Sequence, residues 1–107
     1  MNMYIRNEDT ICAPATVPGT GAISVIRLSG PEALTIADKV IRCRRGNISD
    51  AKGYTIRFGE VLDDKGALID EVLTSVFRAP HSYTGENSVE ISCHASSYIV
   101  SRIMELL

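Results

Sequence analysis

No apolar stretch in this 107-residue sequence approaches the roughly 18 consecutive residues that a membrane-spanning helix needs, and no secretory signal is present. The three cysteines, Cys12, Cys43 and Cys93, are odd in number and have no CxxC spacing. That excludes a disulfide scaffold and fits reduced thiols in a cytoplasmic protein. With only two histidines beside them, they also lack the ligand spacing of a zinc site. The phosphate-binding pattern G-x-x-x-x-G-K-[ST] occurs nowhere, and no nucleotide site is visible. The nearest candidate, Pro18-Gly19-Thr20-Gly21, leads into a strand pattern rather than a helix and reads as a turn. A formal charge of −2 leaves no overall basic field, which argues against this domain alone binding nucleic acid through phosphates. There is no internal repeat and no low-complexity segment.

What is there is ordinary for a folded soluble domain: 45% hydrophobic and 22% charged residues, in a length that fits one domain over residues 1–107. Thr10 to Thr16 reads as a short strand, irregular or at a sheet edge because of Pro14. Ala22 to Leu28 reads as a buried central strand. Ser29-Gly-Pro-Glu32 matches a capping box, with Leu34, Ala37 and Ile41 following at helical spacing and Gly46 closing the helix. Arg42-Cys43-Arg44-Arg45 then falls in the last turn, where cations complement the helix dipole. It is read that way in preference to an RNA-binding patch.

Tyr54 to Leu62 and Ala67 to Phe77 are strand-like runs joined at Asp63-Asp64-Lys65-Gly66, which predicts a hairpin. Pro80 ends the second run, a polar loop from Ser82 feeds a last strand, and Ser96 or Ser97 caps a final helix bearing Ile99, Ile103 and Leu106. The expected order is β-β-α-β-β-β-α. That is an α+β domain with a mostly antiparallel sheet and two helices. The last helix stops at Leu107 without a capping signal, so the chain is expected to be truncated in or after it.

Chemistry concentrates between Ser82 and His94. From Val89, three apolar residues (Val89, Ile91, Cys93) alternate with Glu90, Ser92 and His94, so a strand presents the polar three on one face. Cys93 and His94 point to opposite faces and make a poor nucleophile–base pair; Cys93 is expected in the core. Arg27, at the end of an apolar strand, is costly to bury unpaired. It is read either as a partner of Glu86 or Glu90, or as a recogniser of an anionic or planar ligand. Glu86 and Glu90 are either solvated acids or acceptors for a heterocycle that offers an amine beside a ring N–H, such as a pterin.

Asp9-Thr10-Ile11, Ala15 to Gly19, Ile26-Arg-Leu-Ser-Gly-Pro31, Ser82-Tyr-Thr-Gly-Glu86, Val89-Glu90 and Cys93-His94 together resemble the N-terminal domain of the MnmE (TrmE) family of tRNA-modification GTPases. The blocks occur in the family's order, span nearly the whole chain and begin close to Met1, as at a native N-terminus. The resemblance implies a fold related to the folate-binding domains of one-carbon enzymes, a bound 5-formyl- or methylene-tetrahydrofolate, and homodimerisation. It implies that the helical domain and the G domain, with its GTP, potassium and magnesium, lie outside this sequence. The chain alone is therefore expected not to hydrolyse GTP and to have no catalytic residues or metal ligands of its own.

With an FAD-containing partner, MnmG, the full-length enzyme of such a family adds an aminomethyl-type group at C5 of a tRNA wobble uridine. The folate serves as one-carbon source, and tRNA is reached through the full complex rather than this domain. Carried onto this sequence, the ligand-binding residues are Arg27, Ser29, Tyr83, Thr84, Gly85, Glu86, Glu90 and His94. The sequence departs from the family pattern at Thr20-Gly21-Ala22 and at His94-Ala95-Ser96, where the family commonly has a basic residue with a further glycine and His-Gly-Gly respectively. A purely structural dimerisation module is the alternative reading, and a stand-alone one-carbon transferase a third.

Overall fold

The computed structural model describes residues 9–14, 22–82 and 85–107. The turn read at Pro18–Gly21 lies outside them. Strands β1 (Ile11–Pro14) and β2 (Ile23–Ser29) lead to helix α1 (Ala33–Val40). Strands β3 (Ile41–Cys43), β4 (Thr55–Leu62), β5 (Leu68–Phe77) and β6 (Ser88–His94) follow, and helix α2 (Ser97–Leu106) closes the chain. The six strands form one sheet in the order β1-β2-β6-β5-β4-β3, with every neighbouring pair antiparallel. The α+β class and the element order are as expected. The short β3 is an addition.

Alternation explains the layering. Ile26 and Leu28 of β2, Val72 and Val76 of β5, and Val89, Ile91 and Cys93 of β6 are all buried on one face. They meet Ala33, Leu34 and Ala37 of α1 and Ile103 of α2 in a single cluster. Both helices pack on this face, α1 against β2, β6 and β3, and α2 against β1, β2, β5 and β6. The opposite face carries Ile23, Arg27, Ile56, Phe58, Leu73 and Glu90, and no element among the described residues covers it.

Local signals decided the ends differently from expectation in two places. The Ser29–Glu32 capping box does not form, because β2 runs through Ser29 and its hydroxyl donates to Glu86 Oε2 (3.0 Å). The Glu32 N–H is satisfied instead by Thr10 Oγ1 (3.0 Å). Helix α1 stops at Val40, not at Gly46, since Ile41 turns extended and Ile41–Cys43 pair with Val61–Gly59 of β4. Gly59 permits that approach: a Cβ there would sit 2.7 Å from the Arg42 carbonyl oxygen. Arg42–Arg45 are therefore not a helix end but an edge strand and the loop behind it.

That loop is firmly held. The Asp38 carboxylate accepts from the Ile48 and Ser49 N–H groups (2.6 and 3.0 Å), and Arg78 donates to the carbonyls of Ser49 and Ala51. Ile48 and Ala51 are fully buried beneath it. At the expected hairpin, Gly66 takes φ +84° and the Asp63 carboxylate accepts from the N–H groups of Lys65 and Ala67. Ser96 caps α2, accepting from the Ile99 N–H (3.3 Å).

Two stability outcomes follow. Thr74 is fully buried, and its Oγ1 has no hydrogen-bond partner among the described residues. An unsatisfied buried hydroxyl costs about 1–3 kcal/mol, so Thr74→Val is expected to stabilise by about 1 kcal/mol in urea unfolding. The Ala67 and Lys65 N–H groups hold the Asp63 carboxyl below its ordinary value. Its folded value thus lies below the unfolded one. The contribution is present above the ordinary carboxylate range and is lost as pH falls through the folded value. Melting temperatures of the wild type and Asp63→Ala are expected to differ at about pH 7 and to converge towards about pH 2.

Candidate functional site

Register brings the polar residues together. On the open face β2 pairs with β6 so that Arg27 faces Glu90 and Ser29 faces Ser88. Arg27 Nη2 reaches Glu90 Oε1 at 3.1 Å, with both side chains about a quarter exposed. Ser29, itself buried, donates to Glu86, which arrives from the loop before β6. Of the two partners considered for Arg27, Glu90 is in ion-pair contact with it, and Glu86 accepts from the neighbouring Ser29 hydroxyl.

The loop is shaped to deliver Glu86. The Ser82 hydroxyl donates to the Glu86 carbonyl, and Gly85 takes φ +80° with open space where a Cβ would lie. Asn87 anchors the exit: its side-chain oxygen accepts from the Ala79 N–H (2.8 Å) and its carbonyl from the Gly30 N–H (2.9 Å). Gly30, at φ +141°, backs directly onto Thr10, where a Cβ would fall 2.5 Å from the Thr10 Cα. Tyr83 and Thr84 lie outside the described residues.

Arg27, Ser29, Gly85, Glu86 and Glu90 thus gather at one end of β2 and β6. His94 does not join them. It shares the open face with Glu90, but four residues further along the strand, about 13 Å away at about 3.3 Å per residue. There its Nδ1 lies 2.8 Å from Asp70 Oδ1, and its backbone N–H donates to Asp70 Oδ2, also at 2.8 Å. Asp70 is buried while the His94 ring is 72% exposed. Asp70, Asn87 and Ser88 were not singled out in the sequence. A signal existed for Asp70, which occupies a core-facing position in the alternation of β5.

Chemically, the first cluster is an acceptor surface. Glu90 Oε2 has no hydrogen-bond partner among the described residues, beside a guanidinium that already holds Oε1. A carboxylate so placed accepts from an amine or ring N–H, which is the edge a pterin presents. Arg27 fixes its orientation. The residues present fit such a ligand in donor and acceptor character. Among the described residues no group of three or more His, Cys, Asp or Glu is arranged to hold a metal ion. No helix among them is long and apolar enough to cross a membrane.

A family model described as "GTP-binding protein TrmE N-terminus" matches residues 10–107. A protein of Bacteroides fragilis named tRNA modification GTPase MnmE is 53% identical over 103 residues, covering 94% of this chain and 22% of that protein. Proteins of the same name from Parabacteroides distasonis and Listeria welshimeri are 47% and 46% identical over 92% of this chain. The chain spans about a fifth of the length of these relatives (22%, 22% and 21%).

The Cys93 thiol lies on the other, core side of β6. Burial, and then the Asp70 charge, push Cys93 up to about 11, and its Sγ lies 3.7 Å from the Ser24 carbonyl. Iodoacetamide at about pH 8 is expected to leave Cys93 unlabelled in the folded chain and to label it fully in denaturant, read by peptide mass spectrometry.

Proposed function

The chain belongs to the TrmE N-terminal family, and on that premise we propose that it is the folate-binding and dimerising domain of a tRNA-modification GTPase. The observation that carries this reading is the match over residues 10–107. The paired carboxylates Glu86 and Glu90 at one end of the open face support the folate component. In the whole enzyme, GTP, potassium and magnesium belong to a G domain outside this chain. An FAD protein of the MnmG kind is its partner on tRNA in the cytoplasm.

The role of this domain is to hold a 5-formyl- or methylene-tetrahydrofolate, which supplies the one-carbon unit for C5 of the wobble uridine. Glu90 accepts from the amine and ring N–H of the pterin edge, and Arg27 keeps that carboxylate oriented. Glu86, set by Ser29, closes the site from the loop side together with Tyr83, Thr84 and Gly85. His94 sits at the far end of the same face, where an elongated ligand passes along the strand.

One specific observation favours dimerisation through this face. Ile23, Ile56, Phe58 and Leu73 are 61, 64, 38 and 47% exposed there. An apolar row of this kind on a sheet with no cover among the described residues suits a second copy. Without ligand binding, the same row would serve the alternative of a structural dimerisation module.

Calorimetry with 5-formyltetrahydrofolate tests the reading. Saturable heat at micromolar ligand is expected, weakened about 10- to 100-fold by Glu90→Gln, the range for a hydrogen bond to a charged group. Light scattering should give a dimer that Leu73→Lys converts to monomer. A dimer that gives no folate heat at high micromolar protein would favour the purely structural module.

A further inference from the structure

Six of the eleven lysines and arginines (Lys39, Arg42, Arg44, Arg45, Lys52 and Arg57) fall between residues 39 and 57, where Asp50 is the only acid. The chain as a whole is nonetheless negative, at −2. A concentration of one sign in a chain of the other points to a dedicated surface. The helix-end explanation for Arg42–Arg45 is removed by the structure, which makes them the edge strand β3 and the start of the following loop. Among the described residues Arg42, Arg44 and Arg45 form no ion pair with a carboxylate, whereas Arg57 is held by Asp50 at 3.4 Å.

The surroundings are apolar and aromatic. Arg44 Cζ stands 5.0 Å from the centre of the Phe58 ring. Arg44, Arg45, Ile56, Arg57 and Phe58 line a shallow depression of about 310 Å³. Tyr54, at the head of β4, is 73% exposed and Ile56 is 64% exposed. The loop is also a fixed platform, tied by Asp38 and Arg78 to α1 and to the end of β5.

We propose that the edge formed by β3, the loop after it and the start of β4 is an RNA-binding surface. Arg42, Arg44, Arg45 and Lys52 contact backbone phosphates, and the exposed Tyr54 ring receives a base. Unpaired guanidinia at a sheet edge are open to a long polyanion. Planar groups interleaved with cations suit nucleic-acid bases, whereas an acidic protein surface would use the charges alone. The choice of RNA rests on the tRNA-processing reading above. The site lies at the opposite edge of the sheet from β1 and β2, so it is separate from the proposed folate cluster.

The test is fluorescence anisotropy of a labelled RNA stem-loop titrated with the 107-residue chain at about 50 and 200 mM salt. Binding at the lower salt should weaken about 50- to 150-fold at the higher, the fall expected when about four phosphates are neutralised. Joint replacement of Arg44→Ala and Arg45→Ala should weaken binding about 10-fold or more at low salt and reduce the salt slope by about two. Arg102→Ala, on α2, should bind as the wild type does, and circular dichroism checks that each variant is folded.

No binding at low salt, or unchanged binding by a folded double variant, overturns the proposal. So does polyglutamate that competes as well as unlabelled RNA, which would assign the edge to an acidic protein instead. Folate calorimetry on the wild-type chain separates the two readings. Folate heat from a wild type that does not bind RNA overturns only the RNA surface, and RNA binding by a wild type that gives no folate heat overturns only the folate site.

Discussion

The proposed ligand cluster hangs on the register of β6. The strand is paired on both sides, with β2 and with β5, and Val89, Ile91 and Cys93 are pinned in the core beneath the helices. A slip of one residue would exchange the two faces, burying Glu90 and His94 and exposing three core side chains. Burial of that apolar trio, at about 1.5–3 kcal/mol per large side chain, is what fixes the register. The same register sets Glu90 opposite Arg27 and Ser88 opposite Ser29. The proposed ligand cluster is therefore a by-product of core packing. Its precision is that of two central neighbouring strands rather than of a mobile loop.

The placement of both helices on one face has the complementary effect. Ile23, Ile56, Phe58 and Leu73 are exposed in this chain, yet they lie on positions of a β-sheet that normally favour contact. Charged residues share that face: the Arg27–Glu90 pair on one side of the apolar row, and Arg42, Glu60 and Glu71 on the other. A face with an apolar centre and charges of both signs around it is suited to specific association. It discourages the indiscriminate stacking that a wholly apolar sheet would invite.

Much of this was legible in the sequence where one periodicity acted alone. The hairpin at Asp63–Gly66, the edge position of the Pro14 strand, the Ser96 cap and the two faces of β6 all follow from local pattern. What failed was local pattern in competition with distant partners. Ser29 and Glu32 satisfy the capping-box spacing, but Ser29 finds Glu86, 57 residues away, and the box is lost. Arg42-Cys43 carries no strand signature; pairing with β4 across the bare Cα of Gly59 makes it the end of a strand. His94 ends β6, where strand rise sets it well apart from Glu90, and its anchor, Asp70, was visible only as an acid out of phase with its neighbours.

The two misread segments share one cause, and it bears on function. Helix α1 ends after Val40 because the sheet's outer edge captures the next three residues, and that capture turns a basic run from a dipole complement into an edge. Cations at a helix C-terminus have a partner in the orphan carbonyls. Arginines on an edge strand have none of that kind, and Arg42, Arg44 and Arg45 also lack carboxylate partners among the described residues. At the other end of the sheet the cation Arg27 is paired and the carboxylates gather. The two sides of the sheet thus differ in pairing: on β2 and β6 the cation is held by a carboxylate, whereas at β3 and the loop after it three arginines are not, although Glu60 stands opposite Arg42 in the register. The proposed ligand cluster and the proposed RNA edge therefore draw on different strands and do not compete for the same side chains.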